Sequence, residues 1–276
     1  MPSGPLRRSA TSLHPVPLSL ESAMDAAWPA LDRHESGSWI LRASGGVTQR
    51  ANSVWPRRIS GRSGEELSGL LLEARSWYGS RRLPVIFQMS EDPAAAALHK
   101  LLDAEGFTRQ SSTLVLTLCA EERGVPAPIP GAPAAELSSL PTDEWMQVWW
   151  QVDGRGGDAE QGIAREILAG CPSLYALVRD SGGQPAAVGR LALPEGRSRG
   201  GIYCMATIPA ARRQGLAAAV LASLLRAGKD VNATDFWLQV TAANHDAQAL
   251  YAGAGFRAAG HYVYRQDSRQ GAQAAR

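Results

Sequence analysis

Thr207-Ile-Pro-Ala-Ala-Arg-Arg-Gln-Gly-Leu-Ala217 is the stretch from which this chain is read. It predicts the end of a strand, a tight basic loop and the start of a helix. Pro209 cannot donate to a strand ladder, so the strand closes there. Ala217-Ala-Ala-Val-Leu-Ala-Ser-Leu-Leu-Arg226 is rich in Ala and Leu, which lose little freedom in a helix. The first helical N–H groups have no intrahelical acceptor and point back at the loop. Together with the positive end of the helix dipole they make a place for a phosphate. Gly215 and Ala217 keep that backbone open to a bulky anion, with Leu216 between them in the same cofactor-binding run, and Arg212, Arg213 and Gln214 add donors. Alone, the loop could hold any nucleotide, or be a basic helix cap with no ligand.

The next segment narrows the reading. Phe236-Trp-Leu-Gln-Val-Thr241 is a short β-type run, followed by Asn244-His-Asp-Ala-Gln-Ala-Leu-Tyr-Ala-Gly-Ala-Gly-Phe256. The two patterns are Pro-x-x-Arg-x-x-Gly-x-Ala and Asn-x-x-Ala-x-x-Leu-Tyr-x-x-x-Gly-Phe. In this order and spacing they resemble the GNAT superfamily of acyl-CoA-dependent N-acyltransferases, over roughly residues 135–266.

The resemblance implies an α/β (α+β) fold: a mixed, mostly antiparallel twisted sheet flanked by helices. It implies acetyl-CoA as co-substrate and no metal. The strand before the phosphate loop, Gly201-Ile-Tyr-Cys-Met-Ala-Thr-Ile208, should part from its neighbour at a bulge. Met205, Ala206 and Thr207 would then border the pantetheine arm, with backbone groups of Met205 and Thr207 turned to it. An N–H near Met205 would polarise the thioester carbonyl. Arg212 to Ala217 would hold the pyrophosphate, and Asn244 matches the family's cofactor-contacting Asn. Tyr251 stands at the position of the family's general acid; its alternative role is a core tyrosine. The base is left unassigned. Gly200 to Thr207 contains no acid, and Tyr203, Asp153, Asp158, Glu160, His245, His261 or a water chain are the alternatives.

The chain of 276 residues is about twice what one such domain needs. Its first half has its own periodicity. Strands are expected at Ser38–Ala43, Ala51–Trp55, Pro84–Met89 and Thr113–Leu118, and helices at Glu65–Trp77 and Ala94–Ala104. Ser53-Val-Trp-Pro56 aligns with Ala206-Thr-Ile-Pro209, Phe87-Gln-Met89 with Leu238-Gln-Val240, and Leu101–Phe107 with Leu250–Phe256. Two tandem GNAT-like copies follow from this alignment, similar to actinobacterial proteins of the mycothiol-synthase-like kind. In the first copy Ile59 and Arg62 replace Arg212 and Gly215, and Leu102 replaces Tyr251, so that copy reads as degenerate. The expected organisation is a disordered tail (1–18), the degenerate copy (19–120), a linker (121–135), the catalytic copy (136–266) and a frayed tail (267–276).

Net charge is +2, which gives no reason to invoke nucleic acid. No run approaches the ~18 apolar residues of a membrane span, and the first residues have no signal-peptide core. The three cysteines, Cys119, Cys171 and Cys204, and the five histidines have no metal-ligand or disulfide spacing. A cytoplasmic protein, monomeric or homodimeric, is expected.

The expected acceptor is a small-molecule amine; a protein N-terminus or lysine, or a non-catalytic CoA sensor, are the other readings. Trp145-Met-Gln-Val-Trp-Trp150 predicts a helix with Trp145 and Trp149 on the core face and Trp150 in the acceptor groove. Asp153 and Asp158 bring negative charge to the expected amine entrance. Arg50 and Asn52 would face the cleft between the copies.

Overall fold

The computed structural model describes residues 16–127, 131, 133–194 and 198–268. The first half runs α1 (Leu18–Ala27), β1 (Asp32–Ser36), β2 (Trp39–Ala43), β3 (Val54–Pro56) and α2 (Gly64–Ser80), then β4 (Ile86–Ser90), α3 (Ala96–Ala104), β5 (Phe107–Cys119) and α4 (Ala120–Arg123). The second runs β6 (Glu136–Ser138), α5 (Asp143–Asp153), α6 (Asp158–Ala169), β7 (Ser173–Arg179), β8 (Pro185–Ala192) and β9 (Arg199–Thr207). It ends with α7 (Leu216–Asp230), β10 (Asp235–Thr241), α8 (His245–Gly253) and β11 (Arg257–Asp267).

All eleven strands form one mixed sheet, in the order β1-β2-β3-β4-β11-β5-β10-β9-β8-β7-β6. Only β3–β4 and β9–β10 are parallel pairs. The last strand of each half pairs inside the other. β5 lies antiparallel between β10 and β11, and β11 lies antiparallel between β5 and β4. The halves are therefore not two sheets strung on a linker. At thirteen residues, β5 is long enough to pair along both edges.

Three apolar clusters hold the helices to the sheet. Leu67, Leu71, Leu98 and Leu102 of α2 and α3 pack on Trp39, Phe87 and Phe107. Val220, Leu224 and Leu225 of α7, with Tyr251 of α8, pack on Leu191, Ile202, Phe236 and Leu238. The third cluster joins the halves: Met24 and Trp28 meet Trp145, Trp149, Ile167, Tyr203, Trp237 and Tyr262. Each such side chain contributes about 1.5–3 kcal/mol on burial.

Several expected boundaries move. Leu18 begins α1 rather than ending a tail, and residues 1–15 lie outside the described residues. The segment assigned to the linker opens with α4, while 128–130 and 132 lie outside the described residues. Asp267 does not fray. It is 1 % exposed, its N–H donates to Val85 O, and its carboxylate holds Arg75 at 2.9 Å. Residues 269–276 are outside the described residues.

Candidate active site

The expected bulge is present in β9. Val188 pairs with Ala206 and Arg190 with Tyr203, so Gly189 alone faces both Cys204 and Met205. Cys204 takes up the extra residue at φ +53°. A bulge bends its strand and sharpens the local twist. Accordingly β9 pairs with β10 only from Arg199 to Ile202 and then leaves it.

The strand runs into a short 3-10 turn, Pro209–Ala211, and then the loop. Arg213 and Gly215 both have positive φ, +63° and +78°. Gly215 is the N-cap of α7, and no side chain caps the helix there. Arg212 Nε donates to Thr207 O at 3.3 Å, which ties the loop to the strand end.

Past the point where the strands part, a cavity of about 560 Å³ lies among the end of β9, the start of α7 and α8. Met205, Ala206 and Thr207 form one wall, and Arg212, Arg213, Gly215, Leu216 and Ala217 another. Asn244 and Tyr251 of the following segment close it, and Asp153 stands at its lip. Asn244 caps α8, its Oδ1 accepting from Ala247 N at 3.1 Å, so its amide nitrogen remains for a ligand.

Tyr251 is 7 % exposed, and its hydroxyl makes no hydrogen bond among the described residues. Burial, reinforced by the charge of Asp153, pushes its phenol up to about 12. At neutral pH it is a proton donor. Asp153 has an open surface but crowded surroundings, and this crowding raises its carboxyl above the usual range against the pull of Arg155 and Arg212.

Other sequence candidates fall elsewhere. Gln214 turns away from the cavity, with Nε2 on Ala210 O at 3.3 Å. Trp150 stacks edgewise on Trp149 and borders a separate hollow with Asp143, Gln147 and Arg165. Asp158 is exposed at the start of α6 and does not line the cavity. The Tyr203 hydroxyl accepts from Trp237 Nε1 at 3.1 Å, and burial pushes it up to about 12, so it stays protonated at neutral pH. His261 bonds Glu91 at 2.8 Å, and the Glu160 carboxylate takes the Gly157 N–H at 2.8 Å. Burial likewise holds the Cys204 thiol neutral, at about 12. Gly189 was not singled out from the sequence, although a glycine inside a strand pattern signals a bulge or close backbone approach.

The matching helix start in the first half is built differently. Ser63 Oγ accepts from Glu66 N at 3.2 Å, and Glu66 accepts from Ser63 N at 2.7 Å. This capping box satisfies the N–H groups that α7 leaves bare, and it places a carboxylate where an anion would sit. Arg62 is drawn to Ser38 Oγ at 2.9 Å.

No group of three or more His, Cys, Asp or Glu among the described residues is arranged to hold a metal ion. Nor is any helix among them long and apolar enough to cross a membrane.

This bulged strand, bare helix start and buried tyrosine on a mixed sheet define an N-acetyltransferase of the GNAT kind. A family model described as "Probable histone acetyltransferase Rv0428c C-terminal" matches residues 18–265, and the chain belongs to that family. It is similar to the "Uncharacterized N-acetyltransferase YobR" of Bacillus subtilis (strain 168), with 26 % identity over 251 residues, 89 % of this chain and 96 % of that protein. Among solved structures, a GCN5-related N-acetyltransferase from Kribbella flavida shares the fold at a TM-score of 0.67, with 18 % identity over 90 % of this chain and 93 % of that one. A tandem GNAT protein from the clavulanic acid biosynthesis pathway shares it at 0.65, with 14 % identity over 91 % and 87 %.

Proposed function

We propose that the chain transfers acetyl from acetyl-CoA to the primary amine of a small molecule, by direct attack within a ternary complex. The observation that carries this reading is the single cavity that brings together the bulged strand, the uncapped start of α7, Asn244 and Tyr251.

The donor set suits acetyl-CoA. The first N–H groups of α7, with Arg212 and Arg213, suit a pyrophosphate. The splayed edge of β9 offers unpaired backbone to the pantetheine amides. Bound there, acetyl-CoA supplies a thioester carbon to a neutral amine. The Met205 N–H stabilises the carbonyl oxygen as it gains charge. The Tyr251 hydroxyl gives its proton to the departing sulfur. Asp153 draws the cationic amine to the lip of the cavity, and water relays the proton that the amine must lose. We assign no base beyond that relay.

We read residues 19–120 as a degenerate copy and 136–266 as the catalytic one. Parallel pairing recurs at β3–β4 and β9–β10, and the two exchanged strands occupy reciprocal places. The capping box at Ser63, and Leu102 in place of Tyr251, support loss of the first site. A chain that supplies its own strand exchange suits a monomer, and we place it in the cytoplasm.

The family's description names a histone acetyltransferase, which keeps a protein lysine as the second reading. α1 and Trp28 pack against β9 on the side of the bulge away from α7, which narrows that approach and favours the small amine.

Calorimetric titration of acetyl-CoA into the protein, beside an Arg212→Ala/Gly215→Glu variant, tests the reading. One site per chain, lost in the variant, is expected. No binding by the unaltered protein would overturn it.

A further inference from the structure

Arginines buried among apolar groups are expensive unless they are paired or fully hydrogen-bonded. Three in this fold obey that rule. Arg42 holds Asp25 at 2.9 Å, Gln88 at 2.9 Å and the Ser53 carbonyl at 3.1 Å. Arg190 donates from all three of its nitrogens, to Ser173 Oγ and the carbonyls of Ala27, Leu168 and Cys171. Arg265 binds Asp103 and the Phe107 carbonyl.

Arg50 differs. Its guanidinium carbon lies 5.2 Å from the Trp28 ring centroid and 5.1 Å from that of Tyr203. It is half-buried and forms no hydrogen bond or ion pair among the described residues; its Nε is buried and unpartnered, as is that of Arg265, but its outer nitrogens, unlike Nη2 of Arg265, meet no carboxylate or carbonyl. Two aromatic faces offset only part of the cost of desolvating such a charge. Arg190 adds to the imbalance. It lies 5.6 Å and 5.8 Å from the same two rings, and no carboxylate is paired with it. Two positive charges thus share one aromatic pair.

A second orphan lies beside the first. Both amide atoms of Gln239 are buried without partners. Arg50 and Gln239 border one small cavity of about 10 Å³, which Asp25 also lines; it has room for about one water to bridge the two side chains and none for a carboxylate. Glu21 also lines it, but its carboxylate accepts from Trp55 Nε1 at 3.3 Å and forms no ion pair with Arg50 among the described residues.

The place of this pair in the fold matters. Tyr203, on which Arg50 lies, is two residues before Met205, and Arg50 acts electrostatically on Cys204 within the bulge. Cys204 packs with the cluster that joins the halves, while Met205 lines the acetyl-CoA cavity. Arg50 is therefore next to the bulge, on the face away from α7.

We propose that the outer nitrogens of Arg50 are the seat for a carboxylate on the acceptor, so that the enzyme acetylates small amines that also carry a carboxylate. The proposal rests on the acetyl-transfer reading above. A guanidinium fork matches the two oxygens of a carboxylate, and the anion would give Arg50 the ion pair that it lacks. Trp28 and Tyr203 would flank it and exclude water.

Two measurements test it on the full chain. In the first, glycine, β-alanine and 4-aminobutyrate are compared with their primary amides, with CoA release as the readout. The expected result is a kcat/KM at least tenfold higher for one or more acids than for the matching amide, carried mainly by KM. In Arg50→Met, acid and amide should converge, and Arg50→Lys should restore part of the difference. Equal use of acids and amides by the unaltered protein would overturn the proposal. The second measurement does not require turnover. N-acetylglycine, N-acetyl-β-alanine and 4-acetamidobutyrate are titrated by calorimetry with CoA present and absent, against unaltered protein and Arg50→Met of verified melting temperature. Binding by the unaltered protein, at least tenfold weaker in Arg50→Met, is expected. Absence of binding for all three, or equal binding by the two proteins, would overturn the proposal. Loss of acetyl-CoA binding alone would instead remove the acetyl-transfer reading.

Discussion

Gly189 and Met205 meet with no space for another carbon between them. A Cβ on Gly189 would lie 2.6 Å from the Met205 sulfur, 2.7 Å from Val220 Cγ1 and 3.0 Å from Leu224 Cδ1. Gly189 also faces the two-residue bulge and accepts from Trp145 Nε1 at 3.1 Å through its carbonyl. The wall that Met205 gives the cavity therefore rests on a residue of the neighbouring strand.

Gly189→Val would push Met205 and α7 away from β8. Overpacking of this kind costs about 1–3 kcal/mol. The expected result is a fall in melting temperature together with at least tenfold weaker acetyl-CoA binding. A variant that loses stability but binds acetyl-CoA normally would show that the bulge does not set the cavity.

Tyr251→Phe keeps the packing against Phe256, whose ring centroid lies 6.1 Å away, and removes only the hydroxyl. General acids contribute roughly 100-fold or more to rate. The expected outcome is a kcat lowered by about that factor with acetyl-CoA affinity little changed. Unaltered turnover would remove Tyr251 from proton transfer and leave it a core residue.

How much of this was readable in advance depends on the range of the interaction. The loop at Arg212–Ala217 was legible because the requirement is local: a positive φ at Gly215 and donors within a few residues. Tyr251 was legible because a fixed spacing carries it to the same cavity. Strand exchange was not legible. β5 carries the apolar run Leu114-Val-Leu-Thr-Leu118, which predicts a strand but not its partners, and those partners lie more than a hundred residues away. Trp150 borders a different hollow from the one that Tyr251 lines, because helical spacing excludes a residue from one face without saying which hollow the other face meets. Arg50 was noticed only as a residue of the cleft; its lack of partners is a property of the assembled fold.

Ser63 and Glu66 predict what the first half does not do. Ser63→Ala removes an N-cap and should lower stability by about 1 kcal/mol, measured by denaturant unfolding. It leaves Glu66 at the helix start, so no second acetyl-CoA site should appear. A stoichiometry of two per chain, in this variant or in the unaltered protein, would refute the asymmetric reading.

Glu21 links the fold to pH. Burial, only partly offset by Trp55 and Arg42, raises its carboxyl from the ordinary 4.5 to about 7. Below 4.5 the group is neutral in the folded and unfolded states alike and costs nothing. Between 4.5 and 7 the unfolded chain releases the proton while the fold keeps it, so the contribution to stability falls as pH rises. Above 7 the cost is constant, up to about 3 kcal/mol and less in proportion to the solvent that still reaches the group. Glu21→Gln keeps an oxygen for Trp55 Nε1 and has no proton to lose. It should match the unaltered protein in stability near pH 4.5 and exceed it by about 1–3 kcal/mol at pH 8. Chemical denaturation at the two pH values checks this. An equal loss of stability at both would mean that Glu21 is charged in the fold and held by its neighbours, and that the cavity it shares with Arg50 already contains a negative partner.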